Sequence, residues 1–336
     1  MPYFFVAGNS RSGTTMMGRI LGNHSSIFTF PELHFFEQLW SPTNANKIIT
    51  KSDALQTTAT LFNISEAGYF GKREFNKYQQ QSENIVSSID EKQLTKEKIY
   101  ESVLISVCKH HQKQYPCEQT PQNIFYINEI LKSFPDSYFI NMVCDPRDIL
   151  LSQKRKWKRR FLGGKHATWF ETLRAWNNYH PITISKLWNA SVSAGLKNKN
   201  EKRVITVQFE SLLENPESVI KKICADASIE FQSQMLNIPV VGSSSGNDSS
   251  THKGINAERA NSWKGGGLNS AEIWLCQKMT AGLMKELNYK NELIRPNYLL
   301  VGIYYLLFPI KLGFALILNL HRMKNIADTL RRRLKN

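Results

Sequence analysis

The stretch Gly8-Asn9-Ser10-Arg11-Ser12-Gly13-Thr14-Thr15 concentrates groups that bind an anion. Glycine lets the backbone turn tightly, so that successive N–H groups point inward, and a helix that follows adds its positive N-terminus. Ser12, Thr14 and Thr15 contribute hydroxyls, and Arg11 contributes a permanent charge with a planar fork of donors. The chemistry of such a loop is phosphate binding. Its spacing approaches GxxxxGK followed by Ser or Thr, but Thr14 stands where the lysine of that motif would be. Without that lysine the main contact to a transferring phosphate is lost, which argues against an NTPase or an ATP-using kinase-like enzyme. The plain alternative is an ordinary turn of small polar residues. Arg147, in Asp145-Pro146-Arg147-Asp148, is a second anion candidate by its place after a strand; its alternative is an ion pair with Asp145 or Asp148. Glu32 after Pro31 could be a helix N-terminal carboxylate favoured by the dipole, and Glu118 a cap on the helix starting near Pro121.

These residues must be positioned by alternating strands and helices. Tyr3-Phe4-Phe5-Val6-Ala7 is a short apolar run ending at Gly8, the signature of a strand buried on both faces. A helix opening at Met16 ends near Gly22-Asn23. Further strands are expected at Ile27–Phe30, Tyr138–Val143 and Val204–Val207. Helices are expected at Glu97–His111, from Thr120-Pro121 to about Phe134, from Pro146, over Trp169–Lys197 with a break at Pro181, from Pro216, and at Ser270–Leu287 with Ser270 as N-cap. Residues 51–90 read as a polar helical insertion, and Gly242–Gly267, rich in Ser, Gly and Asn, as a long loop. The pattern is that of an α/β fold with a parallel sheet flanked by helices.

The chain has 336 residues, 41% hydrophobic and 21% charged, which excludes a disordered polymer. Five cysteines at irregular spacing form no CxxC pair and no metal-ligand pattern, so no metal is expected. With no basic region and apolar run after Met1, the expectation is a cytoplasmic protein with reduced thiols. Forty-three Lys+Arg against 28 Asp+Glu give a net charge of +15 and call for an anionic partner. Six cations crowd the seven residues Lys154–Arg160. Nucleic acid is not expected, because no recognisable nucleic-acid module accompanies the charge.

Arg11-Ser12-Gly13-Thr14-Thr15 resembles the 5′-phosphosulfate-binding loop of sulfotransferases that use 3′-phosphoadenosine 5′-phosphosulfate (PAPS). Pro31-Glu32-Leu33-His34-Phe35-Phe36 resembles the segment in glycan and tyrosyl-protein sulfotransferases where a Glu is the catalytic base. Glu118-Gln119-Thr120-Pro121 resembles the Glu-Lys-Thr-Pro segment of the bacterial and glycan branch, with Gln119 in place of Lys. Asp145 to Ser152 resembles the strand-to-helix motif that holds the 3′-phosphate. Phe209–Pro216 and Arg259 to Lys264, followed by a helix ending at Tyr289, are similar to later signatures. The likeness covers about residues 3–290 in order.

The resemblance implies a P-loop-like sulfotransferase fold and sulfuryl transfer from PAPS to a hydroxyl of a carbohydrate or lipid-linked glycan, without a metal. Glu32 and Arg11 are then catalytic. Arg11, Ser12, Gly13, Thr14, Thr15, Arg147, Ser152, Lys253, Gly254 and Arg259 hold the nucleotide. His34 is a candidate to orient Glu32 or the substrate, with a packed histidine as its alternative, and Glu118 a candidate acceptor contact, with the helix cap as its alternative. One departure stands out: Cys144 occupies the place of an Arg that grips the 3′-phosphate in the family. A lost charge-assisted contact of this kind costs roughly 1.5–3 kcal/mol. The departure keeps open an alternative, a noncatalytic membrane-attached nucleotide- or glycan-binding protein on the same fold.

Beyond residue 290 the composition changes. Tyr298–Ile310 and Leu312–Leu318 are apolar runs separated by Lys311, with Pro309 near the break, and together approach the ~20 residues of a membrane span. The interior Lys and Pro point to a segment lying on an anionic membrane surface, with Arg322 to Lys335 on the headgroups, rather than crossing it. A helical hairpin packed on the domain is the alternative. The expected organisation is therefore a sulfotransferase domain over 1–290 and a hydrophobic, basic extension over 291–336.

Overall fold

The computed structural model describes residues 2–69, 71–158, 168–240, 249–320, 328 and 331–333. In chain order the elements are β1 (Tyr3–Gly8), α1 (Thr14–Gly22), β2 (Ile27–Thr29), α2 (Lys51–Ala67), α3 (Gln79–Ser87), α4 (Lys96–His110), β3 (Tyr115–Glu118), α5 (Ile127–Ser133), β4 (Ser137–Val143), α6 (Pro146–Arg155), α7 (Trp169–Asn178) and α8 (Pro181–Leu196). There follow β5 (Val204–Gln208), α9 (Phe209–Glu214), α10 (Pro216–Asp226), β6 (Pro239–Val240), β7 (Ser249–Lys253), α11 (Ser270–Glu286) and α12 (Tyr298–Asn319). Strands β1 to β5 form a parallel sheet in the order β2-β3-β1-β4-β5, and β6 and β7 form a separate antiparallel pair.

The sheet is covered on both faces, which is why β1 reads as an unbroken apolar run. Tyr3, Phe5 and Ala7 enter one core with Phe139, Tyr100, Leu61 and Ile64. Phe4 and Val6 enter the other with Met17, Ile20, Ile140 and Ile220. Helices α2 and α3 supply Ala54, Leu61 and Val86 to the first core, so the polar 51–90 segment is anchored through a narrow apolar stripe.

Three expectations are corrected. Strand β3 went unrecognised because Pro116 interrupts a four-residue run; it nevertheless lies between β1 and β2, with Pro116 opposite Phe28. The α11 N-cap is Asn269, not Ser270: the Asn269 side chain accepts from the Glu272 N–H while Glu272 accepts from the Asn269 N–H, a reciprocal capping box. The Gly242–Gly267 loop contains β7 and short 3-10 turns at Ala257–Arg259 and Ser262–Gly265. Residues 242–248 lie outside the described residues, as do Arg159, Arg160, Arg322, Lys324 and Lys335.

All five cysteines are buried and unpaired. Helix α12 runs through Pro309 and Lys311 without a break. Lys311 turns toward the domain, where its Nζ donates to the Tyr179 carbonyl at 3.1 Å and sits 4.5 Å from the Trp176 ring centroid. Asn319 ties the far end of α12 to α7 through Arg174 and Asn178.

At the end of β1, Gly8 has φ +150°, and a Cβ built there would lie 2.1 Å from the Met142 carbonyl oxygen on β4. Gly8→Ala should therefore force the two central strands apart and lower stability by about 2–3 kcal/mol, read as a reduced urea midpoint.

Candidate active site

The sheet is parallel, so the C-terminal ends of its strands share one edge. Connections leave β1 and β4 toward opposite sides, which makes the crevice between them the place where an α/β sheet binds ligands. The anion loop leaves β1 at that edge. The Ser12 N–H closes the turn on the Asn9 carbonyl at 3.1 Å, and Arg11 and Gly13 take left-handed backbone with φ +80° and +87°. Gly13 is pressed against Phe209 of α9; a Cβ there would lie 2.4 Å from the ring. Helix α1 starts at Thr14 with no side-chain cap and no acid in its first turn. Its leading N–H groups thus face the loop uncompensated. Ser12 is fully buried, and its hydroxyl has no hydrogen-bond partner among the described residues. An orphaned buried hydroxyl beside free helix amides fits a phosphate. Thr14 is buried and Thr15 exposed.

The end of β4 meets this loop. Arg11 Nε donates to Ser152 Oγ of α6 at 2.8 Å, joining the two segments singled out for the nucleotide. Arg147 is engaged internally. It is 3% exposed and forms a bidentate pair with Asp145 (Nε–Oδ1 2.9 Å, Nη2–Oδ2 2.6 Å). Its Nη1 donates to Gln277 Oε1 at 2.9 Å, and its guanidinium stacks 4.1 Å from the Trp263 ring centroid. All three nitrogens are held by the protein. Cys144 is buried, and burial pushes its thiol far above the usual range, so it is neutral. Around it stand Asp148 and Glu210. Burial raises the Asp148 carboxyl to about 7, against a hydrogen bond from the Trp263 N–H and with help from the charges of Asp145 and Glu210. Glu210 is likewise pushed up by burial, accepting from the Asp145 N–H and the Tyr289 hydroxyl at 2.8 Å each.

Beyond β2, the acidic side of the edge is built around His34, whose backbone is left-handed at φ +52°. His34 Nε2 lies 3.2 Å from Glu32 Oε2, and Nδ1 lies 3.1 Å from Glu37 Oε2. Burial alone would lower the imidazole pKa, but hydrogen bonds and charges from Glu32 and Glu37 prevail and raise it to about 9. Glu37, i+3 from His34, was not singled out in the sequence although this spacing places it on the same turn. Glu118, at the end of β3 and opposite Phe5 of β1, is buried. It accepts from the Leu33 N–H at 3.1 Å and from the Thr120 and Asn123 side chains. Burial raises its carboxyl. It clamps the segment that presents Glu32 and His34.

Two further nucleotide candidates sit on the separate hairpin. The Gly254 N–H donates to the Ile238 carbonyl, and the Lys253 backbone pairs with Pro239, while its side chain lies outside what is described. Arg259 is in a 3-10 turn that packs on α9, the helix bearing Phe209 and Glu210.

The sequence matches a family model described as the sulfotransferase family over residues 2–233. Among curated proteins none matches. The sulfotransferase domain of the Synechococcus PCC 7002 olefin synthase has a similar fold, with TM-score 0.53 and 18% identity over 86% of this chain and 95% of that one. The sulfotransferase domain from the curacin biosynthetic pathway is comparable, with TM-score 0.51 and 19% identity over 87% of this chain and 99% of that one. With the family model spanning most of the chain and including the anion loop, the Glu32 segment and the β4–α6 junction, the chain belongs to the sulfotransferase family.

Proposed function

We propose that the enzyme transfers the sulfuryl group of PAPS to a hydroxyl of a carbohydrate or lipid-linked glycan, with Glu32 as base. The observation that carries this reading is the shared strand edge, with an uncompensated anion cradle at β1 and a half-exposed carboxylate beyond β2. Bound PAPS supplies an activated sulfuryl group, whose S–O bond to the 5′-phosphate breaks as the acceptor oxygen forms its own bond to sulfur. The chain's residues do the positioning. The amides of Gly13 to Thr15 and the Ser12, Thr14 and Thr15 hydroxyls hold the 5′-phosphate, and Arg11 offsets charge growing on the bridging oxygen. Glu32 takes the acceptor proton. Glu118 keeps the Glu32 segment at the edge through Leu33, and His34 orients Glu32.

The 3′-phosphate falls to Ser152, Lys253-Gly254 and Arg259 in this reading. Arg147 serves it indirectly, by fixing Asp145 and the start of α6.

An amphiphilic acceptor and attachment at a lipid surface are supported by α12 and α7. Helix α12 is about 33 Å long at 1.5 Å per residue, and an 18-residue stretch of it has a mean hydropathy of 2.0. Leu299, Leu306 and Ile317 are exposed on it, and Trp169 and Trp176 on the neighbouring α7. A cavity of about 260 Å³ opens beside them, lined by Trp157, Trp176, Tyr304, Lys154, Lys311 and Glu272. Aromatic walls with a few polar groups suit a sugar or an amphiphile head. Of the C-terminal cations, Arg332 and Arg333 are paired with protein carboxylates instead of facing outward.

Three measurements test the reading. Incubating the protein with labelled PAPS and a panel of glycans and glycolipids should give a labelled product together with adenosine 3′,5′-bisphosphate; no transfer to any hydroxyl, with the nucleotide bound, would favour the noncatalytic alternative. Glu32→Gln should lower turnover by about 10²–10⁴-fold while calorimetry shows unchanged binding of adenosine 3′,5′-bisphosphate. Ser152→Ala should weaken that bisphosphate by about 10-fold or more and leave adenosine 5′-monophosphate nearly unaffected; equal loss for both would remove Ser152 from the 3′-phosphate site.

A further inference from the structure

The C-terminal end of the chain returns to the edge that carries Glu32. Arg332 is held in a built socket. Its Nη2 donates to Glu129 Oε1 at 2.6 Å, its Nε to Asp328 Oδ2 at 2.8 Å and its Nη1 to the Phe125 carbonyl at 2.7 Å. Its guanidinium lies 4.3 Å from the Tyr126 ring centroid. With Arg332 so anchored, the next residue reaches the site: Arg333 Nη2 donates to Glu37 Oε1 at 3.1 Å. The other Glu37 oxygen is the one that meets His34 Nδ1, and His34 Nε2 meets Glu32. Four charged groups therefore stand in a row, Arg333, Glu37, His34 and Glu32, spanning 301 positions of sequence between Glu32 and Arg333.

The charge state of this row follows from its geometry. Both ring nitrogens of His34 face carboxylates, and a neutral imidazole has one N–H, so only the imidazolium serves both partners. Two carboxylates on one imidazolium leave a surplus negative charge, and the Glu37 side chain is only 12% exposed. A buried, unbalanced carboxylate is costly and takes up a proton instead. Arg333 balances it, and the Glu37 carboxyl is held below its usual range: burial pushes it up, but the His34 hydrogen bond and the Arg333 charge outweigh that. The other groups facing the row are the Tyr69 ring, 4.5 Å from His34, the Thr120 hydroxyl on the His34 N–H, buried Glu118 behind it, and Tyr126 with Arg332 beside Glu37 and Arg333.

We infer that Arg333 is a positioning residue for the transfer reaction: by keeping Glu37 ionised it locks the His34 imidazolium against Glu32, so the segment bearing Arg333 completes the acceptor side of the site. The inference rests on Glu32 being the base. One Glu32 oxygen is taken by the imidazolium, which sets the plane of the carboxylate while the group remains 43% exposed toward an incoming hydroxyl. The tail thus works inward, on the chemistry.

The test uses the full-length chain with labelled histidine and requires no acceptor. In the unaltered protein both His34 imidazolium N–H protons should be observed by NMR at neutral pH, protected from exchange. One of the two should disappear as pH rises through about 9, where the imidazolium gives up a single proton and the neutral ring keeps the other. Arg333→Ala should lose the Nδ1–H signal, its loss beginning at the acidic end where Glu37 now takes up a proton; Arg333→Lys should restore it, and Glu37→Gln should reproduce the defect. Binding of adenosine 3′,5′-bisphosphate should be the same in all of them, which checks folding. With a carbohydrate acceptor from the panel, Arg333→Ala should lower kcat by about 10-fold with the KM for PAPS unchanged, and Arg333→Lys should recover most of it. Intact His34 signals and an unchanged kcat in a folded Arg333→Ala protein would overturn the inference. Full turnover in Glu32→Gln alongside a lost His34 signal in Arg333→Ala would overturn the base assignment alone, so the two failures are distinguishable.

Discussion

Strands β1 and β4 run in register from Tyr3 opposite Ser137 to Gly8 opposite Met142, and at that last pair there is no room for a side chain on residue 8. This close approach decides where the chain turns. It brings the loop after β1 directly beside the Cys144-Asp145 junction after β4, so that Arg11 and Ser152 meet although 141 positions separate them. Phe209, leaving β5, seals the far side of Gly13. The crevice is thus a consequence of parallel strand geometry, and the anion-seeking amides of α1 are aimed by the sheet rather than by contacts of their own.

The charges around that crevice are divided by role. Arg147 looks like an anion ligand in sequence, yet its three nitrogens are bound to Asp145 and Gln277, and its face is covered by Trp263. Removing either partner leaves an uncompensated buried charge, and Asp145, which also accepts from the Arg147 backbone N–H, holds the first turn of α6 in place. Where relatives are expected to carry a second arginine, Cys144 is uncharged and looks toward two carboxylates whose own protonation is favoured by burial. The cation that meets this junction from the β1 loop is Arg11, through Ser152.

Much of this was readable in the residues. The β1 run with its glycine-bearing loop, the helix after Pro146, the break at Pro181 and the strand at Val204 all follow from local pattern, because each is dictated by burial on both sheet faces or by the special backbone of Gly and Pro. Strand β3 was hidden because Pro116 and a length of four residues give no periodic signal; its place is set by its neighbours β1 and β2. The N-cap of α11 was misplaced by one residue since Asn269 and Ser270 are both competent caps, and only the reciprocal partner Glu272 decides between them. In the candidate site, Arg11 and Ser12 stood out as anion-binding residue types in a glycine-bearing loop, and Glu32 only through the family resemblance. The Glu37 contact follows from i, i+3 spacing once His34 is known. Arg333 carried no such sign, because contacts between the two ends of a chain are made by the fold alone.

The five cysteines have a consequence of a different kind. Each is enclosed in the interior, and burial drives each thiol upward, to about 12 for Cys108, Cys117 and Cys276 and about 11 for Cys224. A neutral, enclosed thiol is a poor nucleophile toward oxidants and alkylating reagents. They are distributed over both sheet faces and the α8–α11 layer, so modification at any of them requires that layer to open first. The rate at which a maleimide consumes these sulfurs is then a set of internal clocks, each timing the opening of its own part of the molecule.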